Sequence, residues 1–113
     1  MSMCKAWLSS AALILAAASY AWAVPPGDAS AGKIVYTKSC MTCHGPSGEG
    51  KPAIGKMLHT AMIPLGSKEV QAKTDADLKK FVTEGVGKMP PVKGLSAKQM
   101  DDVIAYVRVL GKK

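Results

Sequence analysis

The chain has 113 residues, 48% of them hydrophobic, and carries 15 Lys and Arg against 8 Asp and Glu for a net charge of +7. That length fits one small domain, and no apolar run reaches the roughly 20 residues needed to cross a bilayer. The basic excess is almost wholly lysine, a flexible hydrated point charge without the bidentate fork that reads bases, so nucleic acid is not the expected partner; an acidic protein surface and a merely solvated one both stay open.

Residues 1–23 read as a secretory signal peptide. One early charge, Lys5, precedes the apolar stretch Ala11 to Ala18, and Ala21-Trp22-Ala23 supplies the A-x-A cleavage site, so cleavage is expected after Ala23 and Cys4 leaves with the leader. Val24-Pro25-Pro26-Gly27 follows as a stiff linker. The remaining 90 residues are near the size at which a core of side chains alone is marginal, and their aromatics are only Tyr36, Phe81 and Tyr106. Something has to supplement that core.

The first helix is expected from a cap at Asp28 through Lys38. Gly32 and Tyr36 share one of its faces, which marks either a close helix contact or a tolerated glycine. Next comes Cys40-Met41-Thr42-Cys43-His44. From Gly45 to Gly66 the chain is rich in Gly, Pro and Lys and reads as loop, with one short helical turn near residues 54–58. So long an irregular segment is unusual in a small domain unless it wraps something, and Ile54, Leu58, Met62, Ile63 and Leu65 suit the face of a flat apolar ligand.

A short helix is expected within Ser67 to Lys73, then a longer one capped by Thr74 with Leu78, Phe81 and Val82 at helical spacing and Gly85 as its stop. Gly85-Val86-Gly87-Lys88-Met89-Pro90-Pro91 is a constrained loop that presents Met89. Ser96-Ala97-Lys98-Gln99 is a capping box opening a final helix, with Met100, Val103, Ile104, Val107 and Leu110 as its apolar stripe. No strand pattern of useful length and no internal repeat is present, so the fold class is all-α with three main helices.

The pentapeptide Cys40 to His44 carries the chemistry. Thiols at i and i+3 lie on one side of a helical turn, placed to form thioethers to two vinyl groups on one porphyrin edge, and the next residue offers a neutral imidazole to the iron. A redox dithiol expects a strand and a βαβ pattern, which are missing. A zinc site needs four ligands, yet beyond Cys40, Cys43 and His44 only His59 is an evident donor. A bare disulfide is the plainest alternative. Covalent haem agrees best with export, small size and the adjacent histidine.

With this motif near the mature start, Met89-Pro90-Pro91 late and a capped final helix, residues 28–111 resemble a monohaem class I c-type cytochrome of the small bacterial type. The resemblance implies a cytochrome c domain over 28–113, loops wrapped around one covalently attached haem c with its iron, and first and last helices crossing at Gly32, Tyr36 and Tyr106. It gives Cys40 and Cys43 the thioethers, His44 the proximal and Met89 the distal iron position, and the Pro52 carbonyl the proton of the other His44 nitrogen. Met62, His59 or an open iron are the alternatives at the distal position; Met57 and Met62 read as pocket lining, while Met41 and Met100 read as packing.

With both axial positions filled by protein, the expected function is outer-sphere one-electron transfer by a periplasmic carrier that is no enzyme. It would be a monomer with no stable membrane anchor after cleavage, meeting redox partners with acidic docking surfaces through Lys38, Lys51, Lys88 and Lys93. A haem subunit of an oxidoreductase complex, and a haem enzyme or gas-binding protein with an open distal site, are the competing readings.

Overall fold

The computed structural model describes residues 27–112. The expected leader and linker lie outside the described residues except for Gly27, which packs so closely on α6 (Ala97–Leu110) that a side chain there would overlap the Asp101 backbone. Five helices precede α6: α1 (Ala29–Ser39), α2 (Met41–His44), α3 (Pro52–Leu58), α4 (Lys68–Gln71) and α5 (Asp75–Glu84). Among the described residues the only β feature is an isolated bridge between Val86 and Met89, and the fold is all-α with α1, α5 and α6 as its main helices.

The expected helix starts form as capped ends. The Asp28 carboxylate accepts from the N–H groups of Ser30 and Ala31, Thr74 from Asp77, and Ser96 and Gln99 close a reciprocal capping box on α6. α3 is longer than the single turn expected at residues 54–58. Proline at its first position presets the backbone and gives up an N–H that has no partner there anyway, so the helix begins at Pro52.

α1 and α6 cross at Gly32, where an added Cβ would overlap the Asp102 carbonyl and come within 3.0 Å of the Tyr106 Cβ. The rings of Tyr36 and Tyr106 then meet at 5.1 Å and 58°. Asp102 is buried at this joint; its carboxylate accepts from the Asp28 N–H at 2.8 Å and from Lys98 Nζ at 2.8 Å. The hydrogen bond from Lys98, followed by that from Asp28, holds the Asp102 carboxyl below its ordinary value.

The fully buried apolar core is small: Val35, Tyr36, Leu78, Val103, Ile104, Tyr106 and Leu110. Around it Leu65, Val70, Phe81, Val82 and Val107 are only half-buried, because one side of each faces a cavity. Arg108 fastens the corner between α4 and α5 to α6: its guanidinium donates to the carbonyls of Gln71 and Lys73 at 2.9 and 2.6 Å and to the Asp75 carboxylate at 2.7 Å.

Candidate functional site

Cys40 ends α1 and opens α2. Its N–H donates to the Tyr36 carbonyl at 2.8 Å, while its own carbonyl accepts from Cys43 N at 3.2 Å and His44 N at 3.0 Å. One turn of helix therefore carries Cys40, Cys43 and His44 to the wall of the same cavity. Gly45 ends the turn at φ 83°, a left-handed conformation that suits glycine, and the chain folds back over the motif through Gly50 N to His44 O at 2.7 Å and Lys51 N to Cys43 O at 3.1 Å.

The cavity has a volume of about 420 Å³ and an overwhelmingly apolar lining drawn from all the helices except α3's first turns, with charges only at Glu69, Lys73 and Lys88 beside the motif itself. Cys40 and Cys43 are free thiols, half-buried. Burial, then the neighbouring Cys43, pushes the Cys40 thiol up to about 11. A reactive dithiol needs the opposite shift, so the direction at Cys40 speaks against the redox-dithiol alternative. Among the described residues no cluster of three or more His, Cys, Asp or Glu is arranged to hold a metal ion. Burial lowers the His44 pKa and keeps the imidazole neutral, the form that donates a lone pair to a metal.

Met89 reaches the cavity from another direction. Val86 and Met89 exchange backbone hydrogen bonds at 3.1 and 2.9 Å across a two-residue turn, with Gly87 at φ 55° and Lys88 without positive φ, the sign pattern of a type II′ hairpin. Gly85, at φ 80°, ends α5 where a side chain would come within 2.6 Å of the Met89 carbonyl. Of the other distal candidates, His59 is exposed in the left-handed cap of α3 and is absent from the cavity wall, as are Met41, Met57 and Met100. Met62 does line the cavity, but its Cβ lies against Gly50 and its Cγ against Gly55, on the loop that follows His44.

The expected hydrogen bond between His44 and the Pro52 carbonyl is not formed. His44 Nδ1 is buried with no hydrogen-bond partner, so the Pro52 carbonyl does not take its proton in this structure. Sequence reasoning also passed over Thr60, Glu69 and Lys73 on the cavity wall and the hydroxyl of Tyr36, which donates to the Gly45 carbonyl at 2.5 Å. Only the helical spacing of Tyr36 four residues before Cys40 hinted at the last of these.

Residues 27–107 match the family model described as "Cytochrome C oxidase, cbb3-type, subunit III". The chain belongs to the c-type cytochromes. The cytochrome is 35% identical over 92 residues to cytochrome c-554(547) of Halothiobacillus neapolitanus, covering 74% of this chain and 98% of that one. It is 31% identical over 107 residues to cytochrome c-555 of Chlorobaculum tepidum, covering 91% of each. Among solved structures it resembles the KustC0563 c-type cytochrome, with a TM-score of 0.53 and 28% identity over 72% of this chain and 94% of that one. The cytochrome is thus a haem-c electron-transfer protein rather than an enzyme, and its fold is the all-α cytochrome c fold. Its own residues fit the cofactor: two half-buried thiols one helical turn apart, a half-buried imidazole next to them whose pKa burial lowers, a thioether on a separate hairpin, and an apolar cavity shared by all four. No helix among the described residues is long and apolar enough to cross a membrane.

Proposed function

We propose that the protein is an exported, periplasmic one-electron carrier whose haem is joined through Cys40 and Cys43 and held axially by His44 and Met89. The observation that carries this reading is the shared cavity, into which α2 brings the two thiols and the imidazole while the Val86–Met89 hairpin brings a thioether. When bound, the haem supplies a one-electron ferric/ferrous couple at a potential that a methionine opposite histidine raises. The chain's residues would bind and insulate it: Leu65, Phe81, Val82 and Val107 on the cavity wall would exclude water, and His44 and Met89 would hold the iron and keep small molecules off it.

Lys88 stands at the cavity wall, and Lys38, Lys51 and Lys93 are on the surface of segments next to the ligand-bearing ones, except that Lys51 is half-buried. A basic rim of this kind suits a transient redox partner with an acidic docking surface, engaged by a monomer free of any stable membrane anchor. The two curated relatives are single cytochromes of nearly this chain's length, which supports a freestanding carrier. The oxidase-subunit description of the matching family favours the second reading, a subunit held in an oxidoreductase complex.

Visible spectra of the exported protein, oxidised and reduced, with and without carbon monoxide, test the proposal. A six-coordinate low-spin haem indifferent to carbon monoxide is expected; prompt carbon monoxide binding would refute the second axial ligand. The mass of the exported protein in solution separates a free carrier from a subunit that is recovered only in a larger assembly.

A further inference from the structure

A haem brings two carboxylates as well as an iron, and a carboxylate taken into an apolar cavity without a partner is costly. Beside the motif, the charged side chains on the cavity wall are Glu69, Lys73 and Lys88. Glu69 would repel a further carboxylate. Lys88 stands on the open Met89 hairpin, where a Cβ added to its neighbour Gly87 would meet nothing within 4 Å. Lys73 differs from both, because the backbone that carries it is fastened to the rest of the molecule. Arg108 donates to the Gln71 and Lys73 carbonyls at 2.9 and 2.6 Å and to the Asp75 carboxylate at 2.7 Å. Gln71 Nε2 donates to the carbonyls of Leu65 and Val107 at 2.8 and 3.1 Å, and both of these residues are on the cavity wall. The Lys73 N–H itself donates to the Val70 carbonyl at 3.0 Å.

This corner between α4 and α5 gains little from burial, since Lys68, Glu69, Ala72, Lys73, Thr74 and Asp75 are all exposed. Hydrogen bonds fix it, and what they fix in place on the wall is a lysine. Among the described residues the ion pairs are Lys79–Asp101, Lys98–Asp102 and Arg108–Asp75, so the Lys73 ammonium has no carboxylate partner in the protein even though Glu69 lies four residues before it, a spacing at which helical pairs meet. We propose that Lys73 binds a carboxylate of the haem, with the Arg108 and Gln71 hydrogen bonds presenting its ammonium at the cavity wall. Pairing with the cation holds that carboxylate ionised to lower pH, against the opposing charge of Glu69. The proposal rests on the reading that the haem occupies this cavity.

The test uses the oxidised, haem-loaded protein, in which the methylene protons beside each haem carboxylate are hyperfine-shifted and follow its titration by NMR. Lys73→Met removes the charge at similar side-chain length and keeps the carbonyl that Arg108 grips. Lys68→Met removes the same charge from α4 at a residue that is not on the cavity wall, and Lys73→Arg keeps the charge while changing the wall. In Lys73→Met the midpoint of one carboxylate is expected to rise by about 0.5 pH unit, the scale of one exposed ion pair, while Lys68→Met and Lys73→Arg move neither midpoint by more than about 0.2 unit. Equal midpoints in Lys73→Met and Lys68→Met would overturn the proposal. So would a shift in Lys73→Arg as large as that in Lys73→Met, since the altered wall and not the charge would then be its cause. Should Lys73→Met fail to fold, Lys73→Gln, likewise uncharged, is read in its place with the same two outcomes. Failure of the underlying reading shows separately, in the unsubstituted protein, as Leu65 and Val107 methyl resonances at ordinary positions instead of displaced by the ring.

Discussion

Replacing Gly32 by alanine sets two effects of opposite sign against each other. Alanine in a helix interior is favoured over glycine by about 1 kcal/mol, so helix propensity alone predicts a more stable protein. The new methyl would, however, overlap the Asp102 carbonyl and crowd the Tyr106 Cβ at 3.0 Å, and a backbone group cannot swing aside as a flexible side chain would. Overpacking of a tight contact costs about 1–3 kcal/mol and occasionally more, and at a backbone-to-backbone contact the upper end applies. The net effect is a loss of about 2 kcal/mol, which in a domain of this size lowers Tm by about 10 °C. Far-ultraviolet circular dichroism during heating of the haem-loaded protein measures it. A Tm unchanged or raised would show that α1 and α6 do not meet at Gly32 as described.

Met89→Ala is expected to leave an iron that binds carbon monoxide and has a lower reduction potential, measured by spectroelectrochemistry; an unchanged spectrum and potential would remove Met89 from the metal. Asp102 ties stability to acid. Its folded pKa is depressed, so its contribution is present above the unfolded value near about 4 and is lost as pH falls through the lower folded value. Asp102→Asn should therefore be less stable at neutral pH and show a shallower loss of stability below about pH 4. Parallel acid titrations followed by circular dichroism check the difference. Electron-transfer rates with an acidic partner should fall steadily as salt is added, measured by stopped flow, and a flat response would argue against docking by the lysines.

Local signals in the chain were enough to place most elements. Asp28, Thr74 and Ser96 each cap a helix through a side chain and backbone only two or three residues away, so nothing distant had to be known. The motif from Cys40 to His44 was equally local, since one helical turn brings both thiols and the imidazole to the cavity wall. α3 was partly hidden because a glycine sits inside it: Gly55 is held by close approach to the Thr60 carbonyl and the Met62 side chain, contacts that outweigh its poor propensity. The Arg108 clamp spans 33 to 37 residues of sequence and has no periodic signature. For Pro52, position in the loop was the sole signal, and the sequence did not show that the residue opens a helix.

The half-buried ring of Leu65, Val70, Phe81, Val82 and Val107 has a bearing on the protein's life in the cell. Each of these side chains gains its remaining apolar burial, worth up to about 1.5–3 kcal/mol for a fully covered residue, only against the cofactor. The chain without its haem is therefore expected to be less stable than the loaded protein and more open to proteases, a difference that limited proteolysis of the two forms measures.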